Sequence, residues 1–227
     1  MIEYVFLDLD DTILDFKKAE YIAIGKTIRD FGVEPTDEVR SRYHVINKWH
    51  WGQLELGKMT RAEVLEGRFE KLFQELGVTV DATLCARTYE KNLSVGHWFL
   101  PGAEEAVEAL SKKYRLYLAS NGTASVQKGR MTSANLYRFF DKVFVSQEIG
   151  HNKPSKAYFD ACFDRIPGFD LSKAIMVGDS LSSDIQGGIN AGMTTVWVNP
   201  NHAEPTHIRP DYEIESLSQL EALLEML

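Results

Sequence analysis

The chain has 227 residues, 44% hydrophobic and 26% charged, with a formal net charge of −8 at pH 7. This is enough chain to bury a substantial core in an ordinary globular protein, and an acidic balance without a basic tract argues against a nucleic-acid polymer as partner. No apolar run approaches the ~20 residues of a membrane-spanning helix, the N-terminus lacks a basic signal-peptide region, and Cys85 and Cys162 lie far apart without metal-ligand spacing, so the expectation is a cytoplasmic protein with two free buried thiols and no membrane contact.

The first element is a strand within residues 3–12, a β-branched and aromatic run that ends on Asp8, Asp10 and Asp11. That is the profile of a buried strand opening into a polar crevice. Its crowded carboxylates need a cation, a hard divalent one such as Mg²⁺. Apolar positions at Ala19, Ile22, Ala23 and Ile28 predict a helix over 17–31, closed near Phe31-Gly32. Further helices follow over 37–56, from Thr60 (with Glu63, a capping-box pattern) to about Gly77, and over 81–94. From Pro101-Gly102 the pattern alternates: helix 103–113, strand 114–119, helix 124–134, strand 142–145, helix 155–164, strand 174–177, helix 182–191, strand 194–198. A late strand near 211–214 and a C-terminal helix from Ser216 close the chain. Such alternation implies right-handed crossovers and a mostly parallel sheet. The expected fold class is α/β, a Rossmann-like core of residues 1–15 and 97–227 with an α-helical insertion over 16–96.

The carboxyl ends of parallel strands share one edge, where ligands bind. Asp8 and Asp10, Ser120, Lys153, and Asp179 with Asp184 all fall at strand or loop ends of that kind. Each has a plain reading alone: Ser120-Asn121-Gly122 as a turn, Lys153-Pro154 as a helix start, Gly178-Asp179-Ser180 as a glycine turn with an N-cap, Asp184 as a first-turn acid. In order, Asp8-x-Asp10-x-Thr12, Ser120, Lys153-Pro154 and Gly178-Asp179-x4-Asp184 resemble the motif set of the haloacid dehalogenase (HAD) superfamily, and the chain is similar to its phosphatases.

The resemblance implies a HAD fold and a set of roles. Asp8 would be the nucleophile, forming an aspartyl-phosphate, and Asp10 the general acid and then base. Mg²⁺ would be held by Asp8, the Asp10 backbone carbonyl and Asp179. Ser120, Asn121 and Lys153 would bind the phosphoryl group. Thr12 would brace the loop, and Asp184 would stand behind the metal, orienting Ser180 or a metal-bound water. Asp11 has no clear catalytic role. The second acid, Asp10, separates the chain from the hydrolytic dehalogenases of the superfamily, which lack it.

The helical insertion resembles the superfamily's α-helical cap, which closes over the site and reads the leaving group. Its stretch from Trp49 to Arg61, followed by Arg68-Phe69, is similar to the cap of bacterial pyrimidine 5′-nucleotidases. Trp49 and Arg68 are therefore candidate specificity residues, although both also fit interhelical packing. The implied partner is a small phosphate monoester, a nucleotide first, and the implied assembly a monomer or small homo-oligomer. The leading expectation is a Mg²⁺-dependent nucleoside 5′-monophosphate phosphatase. Alternatives are a phosphatase of phosphoglycolate or another small metabolite, a β-phosphoglucomutase-like phosphotransferase, and a catalytically silent ligand-binding regulator. The intact Asp8, Asp10, Lys153 and Asp179 set disfavours the last.

Overall fold

The computed structural model describes residues 1–205 and 207–227. Strands β1 (Tyr4–Leu7), β2 (Arg115–Ser120), β3 (Lys142–Val145), β4 (Ala174–Gly178), β5 (Thr194–Val198) and β6 (Tyr212–Ile214) form one sheet. Their order is β3-β2-β1-β4-β5-β6, and every pairing is parallel. The helices are α1 (Phe16–Asp30), α2 (Asp37–Glu55), α3 (Arg61–Leu76), α4 (Ala82–Leu93), α5 (Ala103–Ser111), α6 (Ala124–Ser133), α7 (Ser146–Ile149), α8 (Lys156–Phe163), α9 (Gln186–Ala191) and α10 (Leu220–Leu224).

Side chains alternate along β1, as they must on a strand covered on both faces. Val5 and Leu7 join one apolar cluster with α5 and α10. Tyr4 and Phe6 join another with α8 and α9, where Phe6 stacks on Tyr117 at 5.1 Å between centroids. Leu7 pairs with Leu118 of β2 and Val177 of β4. Asp8 therefore emerges beside Ala119 and Gly178 on the carboxyl edge. The strand order reverses between β1 and β4, so this is the topological switch point at which open α/β sheets bind ligands.

A Cβ on Gly178 would lie 2.2 Å from Asp184 Oδ2. The glycine is what lets that carboxylate close against the strand end. Gly178→Ala should push Asp184 off its partners and destabilise the protein by about 1–3 kcal/mol. Thermal unfolding checks it; an unchanged midpoint would mean the strand end has slack.

Helices α1–α4 form a block with its own apolar interior, which includes Ile24, Tyr43, Phe69, Leu72 and Tyr89. Each starts on a side-chain cap: Asp15, Thr36, Thr60 and Asp81 accept from the N–H groups of Lys18, Val39, Glu63 and Leu84. Thr60 and Glu63 complete the expected capping box. The chain leaves and rejoins the sheet through two adjacent segments. Asp15 N donates to Trp98 O at 2.8 Å, and Leu100 N to Ile13 O at 2.9 Å.

The segment expected as one helix over 182–191 is a π-helical turn, Leu181–Ile185, followed by α9. Ser180 O accepts from both Asp184 N (3.0 Å) and Ile185 N (3.1 Å), while Asp184 Oδ2 takes Ser180 N (3.0 Å). The turn is widened around that carboxylate. The C-terminal helix begins as a 3₁₀ turn, Leu217–Gln219. Helix α7 has no counterpart in the sequence reading, because four residues are too few to show a period.

Candidate active site

Lys153 stands at the centre of the carboxyl edge with its side chain 1% exposed. Its Nζ donates to Asp8 Oδ1 (2.7 Å), Asp184 Oδ1 (2.6 Å) and Ala119 O (2.5 Å). Burial alone would lower the ammonium's pKa; the Asp184 and Asp8 carboxylates outweigh it, and Lys153 stays above its ordinary value. Burial pushes the Asp8 carboxyl up to about 8, with Lys153 pulling it down and Asp184 and Asp10 adding to the rise. Asp179 is driven well above the usual carboxylate range, first by burial and then by Asp184, Asp8 and Asp11.

Free oxygens distinguish the acids. Asp184 has both engaged, Oδ1 by Lys153 and Oδ2 by Ser180 N. Among the described residues Asp8 Oδ2, the Asp179 carboxylate and the Asp10 carbonyl accept no hydrogen bond. Asp8, Asp179 and Asp184 can each bring an oxygen within 4.8 Å of the others. An all-oxygen, acidic donor set with open lone pairs fits a hard cation such as Mg²⁺. Asp8, Asp179 and the Asp10 carbonyl could hold it, with Asp184 behind them. A cation there must displace the protons that the raised carboxyls retain. Apparent Mg²⁺ affinity should therefore climb as pH rises through about 8, where Asp8 gives up its proton. Calorimetric titrations on either side of that value test this, and a pH-independent affinity would contradict it.

Asp10 is held on both oxygens. Arg130 Nη1 pairs with Oδ1, and Gln127 Nε2 donates to Oδ2 at 2.7 Å. Gln127 Nε2 also donates to Ser120 Oγ (2.8 Å), as does Gly122 N (3.1 Å). With two donors aimed at its oxygen, Ser120 keeps its own proton free to donate. Arg130 is fully buried, and its Nε donates to Gly96 O at 2.8 Å. Asp10 is thus braced from the segment where the helical block rejoins the sheet. Sequence reasoning missed Gln127 and Arg130. The available signal was their i, i+3 spacing on the helix that follows Ser120.

The remaining expected residues converge as well. Asn121 donates to Lys153 O (2.9 Å) and Ser183 Oγ (3.2 Å) and accepts from Lys153 N (2.9 Å), which ties the two loops together. Thr12 Oγ1 accepts from Asp179 N at 3.1 Å. Ser180 Oγ accepts from Ser183 N inside the widened turn. Asp11, at φ +55°, accepts from Phe16 N (3.0 Å) and Lys17 N (3.3 Å), so the third acid secures the start of α1.

A cavity of about 420 Å³ lies between this edge and the helical block. Asp8, Asp10, Lys153 and Asp179 line it from below, and Glu20, His44, Asn47, Trp51, Arg68 and Tyr89 from the block. Arg68 is where the sequence pattern puts it. Trp49 is not: it is 53% exposed, packs edge-on against His50 and lies outside the cavity. Trp51, two residues on, lines the cavity instead, because residues i and i+2 point to different sides of a helix.

Residues 5–198, which carry every one of these motif positions, match the family of haloacid dehalogenase-like hydrolases. The chain belongs to that family. This HAD-like hydrolase is 38% identical to the HAD-hydrolase YfnB of Bacillus subtilis, over 98% of its own length and 95% of YfnB. It is 36% identical to the pyrimidine 5′-nucleotidase PynA of Streptococcus pneumoniae, over 96% of this chain and 93% of that one. It is 31% identical to the pyrimidine 5′-nucleotidase YjjG of Escherichia coli, over 98% and 97%. A crystal structure of YfnB bound to magnesium superposes with a TM-score of 0.93, covering 98% of both chains. Among the described residues of this HAD-like hydrolase, no helix is long and apolar enough to cross a membrane.

Proposed function

We propose that this HAD-like hydrolase is a Mg²⁺-dependent phosphomonoesterase that works through an aspartyl-phosphate on Asp8, and that its substrates are pyrimidine nucleoside 5′-monophosphates. The first part is carried by the state of Asp8, with one oxygen held by Lys153 and the other open at the cavity. A bound Mg²⁺ would supply the charge neutralisation that lets a carboxylate approach a phosphate anion. The Asp8 carboxylate attacks phosphorus, and the bond to the leaving oxygen breaks as that oxygen takes a proton from Asp10. Water then attacks phosphorus and gives a proton to Asp10. The P–O bond to Asp8 breaks, and orthophosphate leaves. Ser120, Asn121 and Lys153 hold the phosphoryl oxygens. Residues 16–96 act as a cap over a core of 1–15 and 97–227 and exclude bulk water during the transfer.

Two observations support the nucleotide half. Two relatives are named for pyrimidine 5′-nucleotidase activity. The cavity wall also carries a fixed polar chain: Arg68 Nη1 donates to Asn47 Oδ1 (2.9 Å), Asn47 Nδ2 to Glu20 Oε1 (2.6 Å), and His44 Nδ1 hydrogen-bonds Glu20 Oε2. Glu20, Asn47 and Arg68 are each about as buried as core residues. Arg68 Nη2 has no partner among the described residues. A donor held in this way suits the ring carbonyls of a pyrimidine, and Trp51 offers an aromatic ring at the cavity wall.

The deciding experiment compares kcat/KM for dUMP, dTMP and UMP with that for phosphoglycolate and β-glucose-1-phosphate. Pyrimidine nucleotides should lead by about tenfold or more. Equal rates across the panel would overturn the nucleotidase half and leave the phosphatase half standing.

A further inference from the structure

The side chain that ties the helical block most firmly to the sheet edge is one that the chemistry above does not use. Arg61 is the first residue of α3 and belongs to the block. Its guanidinium reaches down to both loops that carry the phosphate-binding groups. Nη1 donates to Asn121 O (3.0 Å) and Gly122 O (3.2 Å), in the loop that follows Ser120, the last residue of β2. Nη2 donates to Ser146 Oγ (2.6 Å) and Asn152 Oδ1 (2.8 Å), on the segment that leads into Lys153. The Trp51 ring lies beside it, 5.4 Å from the guanidinium carbon. All four acceptors are neutral, so the planar fork crosslinks two loops with no carboxylate among its hydrogen-bond partners.

The bond to Asn121 O has a consequence one atom away. A peptide group is planar and its C=O and N–H point in opposite directions. Fixing the Asn121 carbonyl toward Arg61 therefore aims the Gly122 N–H the other way, onto Ser120 Oγ, which it meets at 3.1 Å. That donor is one of the two that leave the Ser120 hydroxyl proton free for a phosphoryl oxygen. On the other side, Asn152 precedes Lys153, whose own N–H is held by Asn121 Oδ1 at 2.9 Å.

We propose that Arg61 is a positioning residue for phosphate binding: carried on the helical block, it sets the Ser120–Gly122 and Asn152–Lys153 loops in their binding geometry when the block rests on the sheet. Reading of the leaving group and assembly of the phosphate site are then one event, since the block that lines the cavity also aligns the loops beneath it. The inference rests on the phosphomonoesterase reading but not on the nucleotide.

The test uses the full-length enzyme with p-nitrophenyl phosphate as substrate and inorganic phosphate as competing ligand. A small aryl phosphate isolates effects at the phosphoryl group from effects on base recognition. Arg61→Ala should weaken inhibition by inorganic phosphate by about tenfold or more and lower kcat by a similar factor, the range expected for losing charge-assisted hydrogen bonds. Arg61→Lys should restore little, because a single ammonium keeps the charge but cannot span both loops. Arg61→Ala/Asn152→Ala should be no worse than Arg61→Ala, since both changes break the same bridge. If Arg61→Ala does not fold, Ser146→Ala/Asn152→Ala strips both Nη2 partners from the core side and carries the same expectation. Phosphate inhibition and kcat within twofold of the parent in either variant, or full rescue by Lys, would overturn the proposal. A parent enzyme with no activity on any phosphomonoester would instead fail the underlying phosphatase reading.

Discussion

Asp8→Asn should abolish phosphomonoester hydrolysis, with kcat falling by at least about 10⁴-fold, as expected when the attacking group of a covalent mechanism is removed. An amide cannot attack phosphorus, and the other carboxylate bonded to Lys153, Asp184, has both oxygens engaged. The fold should survive. Asp8 N is bonded to Val177 O at 3.0 Å through the backbone, which the substitution leaves alone. The asparagine carbonyl can still accept from Lys153, and Lys153 keeps Asp184 and Ala119 O. One of several crowded buried carboxyls is also removed, so the metal-free variant should unfold no earlier than the metal-free parent. Thermal unfolding and a steady-state assay on the same preparation check both halves. Substantial residual turnover would end the nucleophile assignment.

Lys153→Met should be the most damaging single change to stability. The ammonium is buried and lies between Asp8 and Asp184, at 2.7 and 2.6 Å. Without it two buried carboxyls face each other with no cation between them, a loss of about 3–5 kcal/mol for a broken buried pair. The pH dependence follows from Asp8. Its carboxyl is raised to about 8, above its unfolded value. The stability it contributes is therefore complete at acid pH and is lost as pH rises through that region. Removing Lys153 removes the positive charge that pulls the value down, so the deficit of the variant should widen toward alkaline pH and shrink in acid. Added Mg²⁺ should recover part of it. Turnover should fall by at least about 10²–10³-fold, the scale of losing one fixed electrostatic donor. Urea unfolding at acid and alkaline pH, with and without Mg²⁺, reads all of this. A variant as stable as the parent above pH 8 would contradict the charge arrangement described.

Much of the site was legible because its parts sit where the chain changes character. Asp8, Ser120 and Asp179 each follow an apolar strand, and strand ends on one edge converge whatever their separation in sequence. The α/β alternation and the all-helical stretch were visible for the same reason, since a period of two and a period of 3.6 leave different marks. Gln127 and Arg130 were harder. They lie inside a helix that reads as ordinary, and only the fold reveals that its inward face brings these two side chains to Asp10 beside Val126 and Met131, which pack into the apolar clusters. Arg61 was illegible as a bridge, because three of its four partners are backbone carbonyls or a serine hydroxyl that no residue pattern advertises. Trp49 misled because aromatic character says nothing about helix face, and the face is what separates Trp49 from Trp51. The widened turn at 181–185 had no periodic signal, being set by one carboxylate folding back on Ser180 N.

In the proposed mechanism, phosphate passes through a covalent bond to Asp8. The most direct test is to mix enzyme, Mg²⁺ and substrate, quench in acid during turnover, reduce with borohydride and map the peptides by mass spectrometry. An acyl phosphate is reduced where a free carboxylate is not, so homoserine is expected at position 8, dependent on substrate and absent from Asp8→Asn. An unmodified Asp8 under conditions of full turnover, or a reduced residue at Asp10 or Asp179 instead, would contradict it.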